Sequence, residues 1–593
     1  QTSQEVMPSG RRLQAGRDLF AGERLQTGRD LFAGSSFKRE GISFGKRLQA
    51  GRDLFSGGSF RREENEPGFA RGRKKKDGAV KDWMKSIKAD PGAAAGIFLW
   101  CLAAVLSVYS LFLCFSRDIW YDELFTEGFI GQSVGNLLRL DAQDVHPPLY
   151  YLLVKAAVDF TGLLLPAADG VVVSKLMSVI PFLGLLGYAA VMVRKRYGWL
   201  CAGIFAFCLL GMPQMANYTT EVRMYGWALF FVTASYLHGG EILYGGNRWR
   251  IHWTAFILFG VCAAYTHYFA AVTAFFLYIT LGIGIFLGKK EERRRNAALW
   301  AAGAGLSVAV YLPWLPSAFA QVSAVRKDYW ILPLEWSCFG GCVKFVLKPS
   351  TGYPWVDYGA AVLLFLLLTG FMGHAFLLRR KLDAQERKIL LYASSGPVLV
   401  GATALFGIVV SVLMRPVFIY RYMLPALGCF WFAFACFLSR RKRKAVLAVC
   451  LLFLLAVGMT DYRAFAGEES FKKEQMERTL SWLERIDGDA SVLFNFDQVQ
   501  AVAGYYMEQD TWLYGDEPEE LIHRMFPQVH GGADVDWVKE RLARDVPVWF
   551  VGSGLAREGI LEEWEQEGIV VAEMVDSCLL ERYWFNLYRL ERK

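Results

Sequence analysis

Acidic side chains bunch in the segment DIWYDELFTEGF, residues 118–129, which holds Asp118, Asp122, Glu123 and Glu127. Asp122 and Glu123 are adjacent. On a helix they point about 100° apart, so one can face a cavity while the other braces it. A carboxylate in that position can take a proton from an acceptor hydroxyl or hold a divalent metal such as Mg²⁺ or Mn²⁺; a solvated acidic loop is the plainer reading of the pair alone. Further on, DVHPPLYYLLVK (144–155) sets Asp144 and His146 before Pro147 and Pro148, whose fixed φ makes a rigid entry into the following helix. A lone histidine is more often structural than reactive. PQMANYTTEVRMYGW (213–227) carries Glu221 and Arg223 as its charges, followed by Tyr225. The arginine suits a phosphate oxygen, or the two charges pair with each other. His267 sits in YTHYF, and YLPWLP (311–316) is a Pro-broken helix end. Tyr329 and Trp330 could stack on a sugar or lie at a membrane interface. RPVFIYRYMLP (415–425) adds Arg415, Arg421 and Tyr422. Two arginines beside an apolar helix call for an anionic partner, and lipid phosphate is the preferred one.

The elements that must hold these groups are set by composition. Of 593 residues, 54% are hydrophobic and 21% charged, and the mean hydropathy is +0.25. A soluble domain runs near 45–50% apolar and about 25% charged, so an ordinary soluble enzyme is excluded and a polytopic membrane protein is expected. The net charge of +8 is a sum of unlike pieces: +8 over 1–97, +14 over 98–460 and −14 over 461–593. The sequence pI near 8.8 therefore does not argue for nucleic acid. Apolar blocks long enough to cross a bilayer lie near 96–115, 171–193, 198–216, 225–243, 252–269, 270–288, 297–316, 358–378, 389–413, 423–438 and 445–460. Basic clusters at 71–76, 194–196, 248–250, 289–295, 379–388 and 440–444 fall in every second connection. The positive-inside rule then puts the N-terminus in the cytoplasm, and about 11 spans put the C-terminal part outside. The apolar stretch 147–164 contains Lys155 and is bounded by prolines. It reads as a helix on the outer surface, because counting it as a span would reverse every later cluster.

Residues 1–94 read as a basic low-complexity cytoplasmic tail, with the repeats RLQAGRDLFAG, RLQTGRDLFAG and RLQAGRDLFSG. Their irregular spacing does not suit a solenoid, and with no apolar run in the region no cleavable signal peptide is expected. Residues 95–460 form the membrane domain, with an outer loop at 116–170. Residues 461–593 read as a small extracytoplasmic α/β domain: strands near 490–495, 511–514, 547–552 and 569–575 alternate with helices around 475–486, 497–508, 516–525, 535–544 and 556–568, and 582–590 pairs beside 569–578. No Gly-rich phosphate loop supports nucleotide binding there. Eleven cysteines fall mainly within spans as apolar filler; Cys338 and Cys342 could be a disulfide or free thiols.

The ordered series WYDELFT, DVHPPLYYLL, NYTTEVRMYG, YTHYF, YLPWLP, YWILP and PVFIYRYMLP resembles the bacterial integral-membrane glycosyltransferases of family 39. These are related to protein O-mannosyltransferases and lipid A aminoarabinose transferases and share the C-type glycosyltransferase fold. The resemblance covers about 95–460. It implies transfer of a hexosyl or pentosyl group from a polyprenyl-phosphate donor to a lipid, glycan or protein acceptor on the outer face of the cell membrane. By that likeness Asp122 is the catalytic carboxylate with Glu123 beside it. Asp144 and His146 line the same cavity, and Arg223, Arg415 and Arg421 are candidates for the donor phosphate. Where many relatives carry an arginine near the start of the second span, the nearest cation here is Lys175. The alternative is a polysaccharide polymerase or ligase, or a lipid-linked-sugar transporter of the cell envelope. A transporter should carry polar groups near midspan and internal symmetry; here the polar groups collect at helix ends.

Overall fold

The computed structural model describes residues 91–245, 248–288, 290–327, 331–378, 383–554 and 556–593. Outside the described residues lie almost all of the expected tail with its repeats, the basic cluster at 71–76, parts of those at 289–295 and 379–388, and both Tyr329 and Trp330.

Helix α1 (Pro91–Leu113) leads into a polar segment with three short helices, α2 (Tyr121–Ile130), α3 (Val134–Asp141) and α4 (Leu149–Leu164). Helix α5 (Gly170–Tyr188) runs through a π-turn at Ala189–Val193 into α6 (Arg194–Gly211). Gly198, at φ +86°, breaks the helical path inside α6. Then come α7 (Tyr225–Tyr244), α8 (Trp249–Thr266), α9 (Tyr268–Phe286) and α10 (Lys290–Tyr311). Two shorter helices, α11 (Leu315–Lys327) and α12 (Cys338–Leu347), precede α13 (Pro354–Leu378), α14 (Ala384–Leu413), α15 (Leu424–Ser439) and α16 (Lys444–Leu483). A helix falls on each of the eleven expected apolar blocks. Among the described residues, eight helical stretches are long and apolar enough to cross a membrane by length and composition, with Gly170–Gly211 counted as one. Helix α4 has 16 residues, about 24 Å at 1.5 Å per residue, which is short of the roughly 30 Å of a hydrocarbon core.

The bundle is organised around α15. All fifteen residues from Leu424 to Leu438 are buried, as a helix that is apolar on every side requires. Small residues let its neighbours come close. A Cβ on Gly428 would meet Thr233 Oγ1 of α7 at 1.9 Å, and one on Gly396 of α14 would meet the Cys429 carbonyl at 2.2 Å. The same device joins α1 to α6: a Cβ on Gly203 would lie 1.9 Å from the Gly96 carbonyl oxygen.

The expected boundary at 461 does not exist as a break. Helix α16 runs for 40 residues from the apolar block into charged sequence, so the last block and the helix expected at 475–486 are largely one element. Lys472–Glu468 and Lys473–Glu477, each an i,i+4 pair, support the helix after its apolar half ends. Beyond it come β1 (Ser491–Phe494), α17 (Asp497–Tyr506), β2 (Thr511–Tyr514), α18 (Glu520–Met525), β3 (Val529–Ala533), α19 (Val535–Ala543), β4 (Val548–Ser553), α20 (Ala556–Gln566), β5 (Ile569–Leu580) and β6 (Tyr583–Arg592). The sheet order is β3-β2-β1-β4-β6-β5. Strands β3, β2, β1 and β4 are parallel, while β6 runs antiparallel to both β4 and β5. Strand β3 was not expected: its sequence VHGGA has two glycines, which weaken any strand signal. Cys338 and Cys342 are free thiols on α12.

If the Gly96–Gly203 crossing holds α1 against α6, Gly203→Leu will force the helices apart, at a cost of about 1–3 kcal/mol or more. A lower thermal midpoint than wild type in detergent is the expected result, and an unchanged midpoint would show that the crossing is not tight.

Candidate active site

Helix α2 is short and has seven of its ten residues buried, Glu123 and Glu127 among them, so its polar groups need partners. Segment 221–223 supplies them. The Val222 N–H donates to Glu123 Oε1 at 2.6 Å, and Thr126 Oγ1 donates to the Val222 carbonyl at 2.9 Å. Glu123 Oε2 also accepts the Trp120 N–H at 3.1 Å, tying down the start of its own helix. Arg223 donates to the Asp122 carbonyl oxygen at 2.6 Å. The Asp122 carboxylate turns the other way and meets Arg421, N–O 2.7 Å, in a 3-10 turn (Tyr420–Met423) at the head of α15. The buried central helix thus fixes the cation that faces the acidic pair.

The two adjacent carboxyls have opposite electrostatics. Burial raises the Asp122 pKa, but Arg421 and Arg223 outweigh it and hold the group below its ordinary range. Burial pushes Glu123 up to about 8 against the attraction of Lys175, so Glu123 carries a proton at neutral pH. Glu127 rises to about 7 for the same reason. Glu221 is raised by burial, opposed by Arg421 and Arg582. His146 is lowered by burial, partly offset by its hydrogen bond to Asp144.

Most of the residues singled out in the sequence come together. His146 Nδ1 lies 3.3 Å from Asp144 Oδ2. The His146 ring centroid is 5.6 Å from that of His267, which is 5.5 Å from Tyr225 and 5.0 Å from Tyr422. Arg421 lies 5.4 Å over the Tyr225 ring. Glu221 and Arg223 make no ion pair with each other among the described residues; Arg223 instead reaches Asp122. Arg415 is half-buried just past α14; neither it nor Asp122, Asp144, His146, Arg223, Tyr225, His267 and Tyr422 is among the residues that line the cavity beside α2, so Asp144 and His146 do not line it as expected. Asp122 and Glu123 do not converge as metal ligands. The Asp122 carboxylate is taken by Arg421 and the Glu123 carboxyl by two backbone N–H groups, and among the described residues no group of three His, Cys, Asp or Glu side chains is placed to hold a metal ion. The site as arranged does not fit a divalent ion.

A cavity of about 270 Å³ opens beside α2, lined by Asp118, Trp120, Glu123, Glu221 and Arg421 together with groups the sequence reading did not place there. Lys175 of α5, only 2% exposed, pairs with Asp118 at 2.9 Å. Glu468, Glu469, Lys472 and Gln475 come from the second half of α16, and Glu581 and Arg582 from the β5–β6 hairpin. The helices of the C-terminal domain are bonded to α2 and to the segment just before it. Tyr121 donates to Glu519 at 2.9 Å, Tyr505 to Glu127 at 3.4 Å, and Tyr506 to the Arg117 carbonyl. A Cβ on Gly128 would lie 2.6 Å from Met525 Sδ, so the helix and the sheet domain touch closely. No spacing signal links positions this far apart in the chain; only the long, unbroken α16 hints that the tail returns to the membrane edge.

No family model matches the sequence, and no curated protein matches it. Among solved structures, the chain resembles ArnT from Cupriavidus metallidurans bound to undecaprenyl phosphate, with a TM-score of 0.50 and 13% identity, covering 83% of this chain and 97% of that one. The same protein in the apo state gives a TM-score of 0.51 and 12% identity over the same shares. The chain has the C-type glycosyltransferase fold. It is a multi-pass membrane protein with a small C-terminal α/β sheet. The Archaeoglobus fulgidus oligosaccharyltransferase in complex with Zn and sulfate is more distant, at TM-score 0.37 and 13% identity over 77% of this chain and 68% of that one.

The raised pKa of Glu123 has a consequence for stability. The unfolded chain releases this proton near 4.5 and the folded one near 8. Between those values the folded state binds more protons, so stability falls as pH rises and levels off above about 8. Thermal midpoints from pH 5 to 9 are expected to decline less steeply in Glu123→Gln than in wild type; equal slopes would mean that Glu123 is ionised in the folded protein.

Proposed function

We propose that this protein is a glycosyltransferase that moves a sugar from a polyprenyl-phosphate donor to an acceptor hydroxyl on the extracytoplasmic face of the cell membrane. The observation that carries the reading is Arg421, which lines a polar cavity and pairs with Asp122, within a fold shared with a protein solved with undecaprenyl phosphate bound. In this reading 1–94 is a cytoplasmic tail, 95–460 the membrane domain, and 461–593 an extracytoplasmic domain.

The chemistry follows from the residues. The acceptor oxygen forms a bond to the sugar's anomeric carbon as the bond from that carbon to the donor phosphate breaks, and polyprenyl phosphate leaves. The hydroxyl proton passes to Asp122. A carboxylate held this low is a weak base, so the proton moves late, after the acceptor oxygen has gained positive charge from the anomeric carbon. Glu123, protonated and bound to Val222 and Trp120, braces the helix and takes no proton. Asp144 and His146, with Tyr225, His267 and Tyr422 packed against them, lie behind the Arg421 turn and hold it in place. Cations across the cavity stabilise the charge that grows on the departing phosphate.

Membranes given radiolabelled polyprenyl-phosphate sugars are expected to lose about 100-fold or more of their transfer in Asp122→Asn, and less in Glu123→Gln. Undiminished transfer in Asp122→Asn would remove Asp122 from the mechanism, and unaltered labelling without the protein would favour a transporter or scaffold. Orientation has a separate check. A reporter fused after Lys593 should be active only outside the cytoplasm; cytoplasmic activity would break the proposed topology.

A further inference from the structure

Four basic side chains line the cavity: Lys175, Arg421, Lys472 and Arg582. Three already have carboxylate partners. Lys175 holds Asp118 at 2.9 Å, Arg421 holds Asp122 at 2.7 Å, and Lys472 holds Glu469 at 2.8 Å and Glu468 at 3.3 Å. Among the described residues Arg582 makes no ion pair, and it is exposed at the cavity edge. Its guanidinium lies 3.8 Å over the Trp120 ring, where it rests beside the first turn of α2. Arg421 approaches the same ring at 5.6 Å. One guanidinium bound to Asp122 and one outside any ion pair therefore share a single indole.

The element that presents Arg582 is built at a cost. Leu580 pairs with Tyr583 at the end of the β5–β6 ladder, leaving Glu581 and Arg582 as a two-residue turn. Glu581 has φ +58°, a conformation such turns usually give to glycine or asparagine. Its carboxyl accepts the backbone N–H groups of Tyr121 and Arg582, while Oε2 is buried without a partner. Strain and an orphaned buried oxygen at one turn are tolerated where the surroundings hold the conformation for use. Here they pin the tip of the C-terminal sheet onto the helix that carries Asp122.

We propose that Arg582, delivered by the C-terminal sheet, receives the phosphate of the lipid-linked sugar, so that the sheet completes the transfer site. The inference rests on the transfer reading above. A guanidinium already in contact with an indole loses little freedom when its outer N–H groups fork onto a phosphate. With the other lining cations ion-paired, it is the one that no carboxylate holds directly, although Glu221 and Glu581 lie near enough to feel its charge.

The test uses the full-length protein purified in detergent, as wild type, Arg582→Ala and Arg582→Lys, titrated with undecaprenyl phosphate and, separately, with inorganic phosphate. Arg582→Ala is expected to weaken undecaprenyl phosphate binding by about 10- to 100-fold, Arg582→Lys to recover part of the loss, and the ligand-free thermal midpoint to stay at the wild-type value because the side chain is exposed. Equal lipid binding by wild type and Arg582→Ala would overturn the assignment while leaving the transfer reading intact. A wild type that does not bind the lipid would overturn both. Inorganic phosphate binding as tightly as the lipid, with the same loss in Arg582→Ala, would place a free anion there and overturn the lipid assignment.

Discussion

The ion pair between Asp122 and Arg421 joins positions 299 residues apart, and the arrangement of the site depends on it. A carboxylate taken into a low-dielectric pocket without a partner would protonate instead. Arg421 keeps Asp122 charged, and Arg223 adds to the same effect while binding its carbonyl. Glu123 is next in the chain but lacks such a partner, and it stays protonated. Two neighbouring carboxyls thus acquire opposite states from their surroundings.

That pair can form only because the bundle brings the head of α15 to α2. Helix α15 is apolar on all sides and must be wrapped, and glycines at 396 and 428 let α14 and α7 close on it. Its first turn then projects Arg421 and Tyr422 at a fixed height. Segment 221–223 lies between α6 and α7 and is fixed from the other side, because both backbone groups of Val222 are bonded to α2. The site is therefore made where three separately anchored pieces meet, and loosening any one would misplace the carboxylate.

The C-terminal sheet belongs to the same construction. Its parallel strands would be an unremarkable small domain if α16 ended at the membrane. Because α16 continues unbroken, helices α17 and α18 of the C-terminal domain pack against α2, and a strained two-residue turn enters the cavity. The C-terminal domain is, by its contacts, one wall of the cavity.

Much of this was legible in the sequence. The apolar blocks mark the helices because each must hide about 20 residues from water, and the strand pattern of the tail follows from short apolar runs between helical stretches. The charges that collect at helix ends mark Asp122, His146, Arg223 and Arg421, because buried charge is costly and is kept only where it is paired or used. Strand β3 was missed because its glycines erase the strand signal, and the run of α16 past 461 because salt-bridged charge continues a helix as well as apolar sequence does. Arg415 carries the same local signal as Arg421, yet it is Arg421 that pairs with the Asp122 carboxylate. What the sequence determined by itself was which segments are apolar and which polar groups are expensive to bury. Only the tertiary structure decided which charge meets which, that Asp122 is ionised while Glu123 is not, and that Glu581 and Arg582 stand beside residues 118–123, because pairing depends on distance in space and the chain records only order.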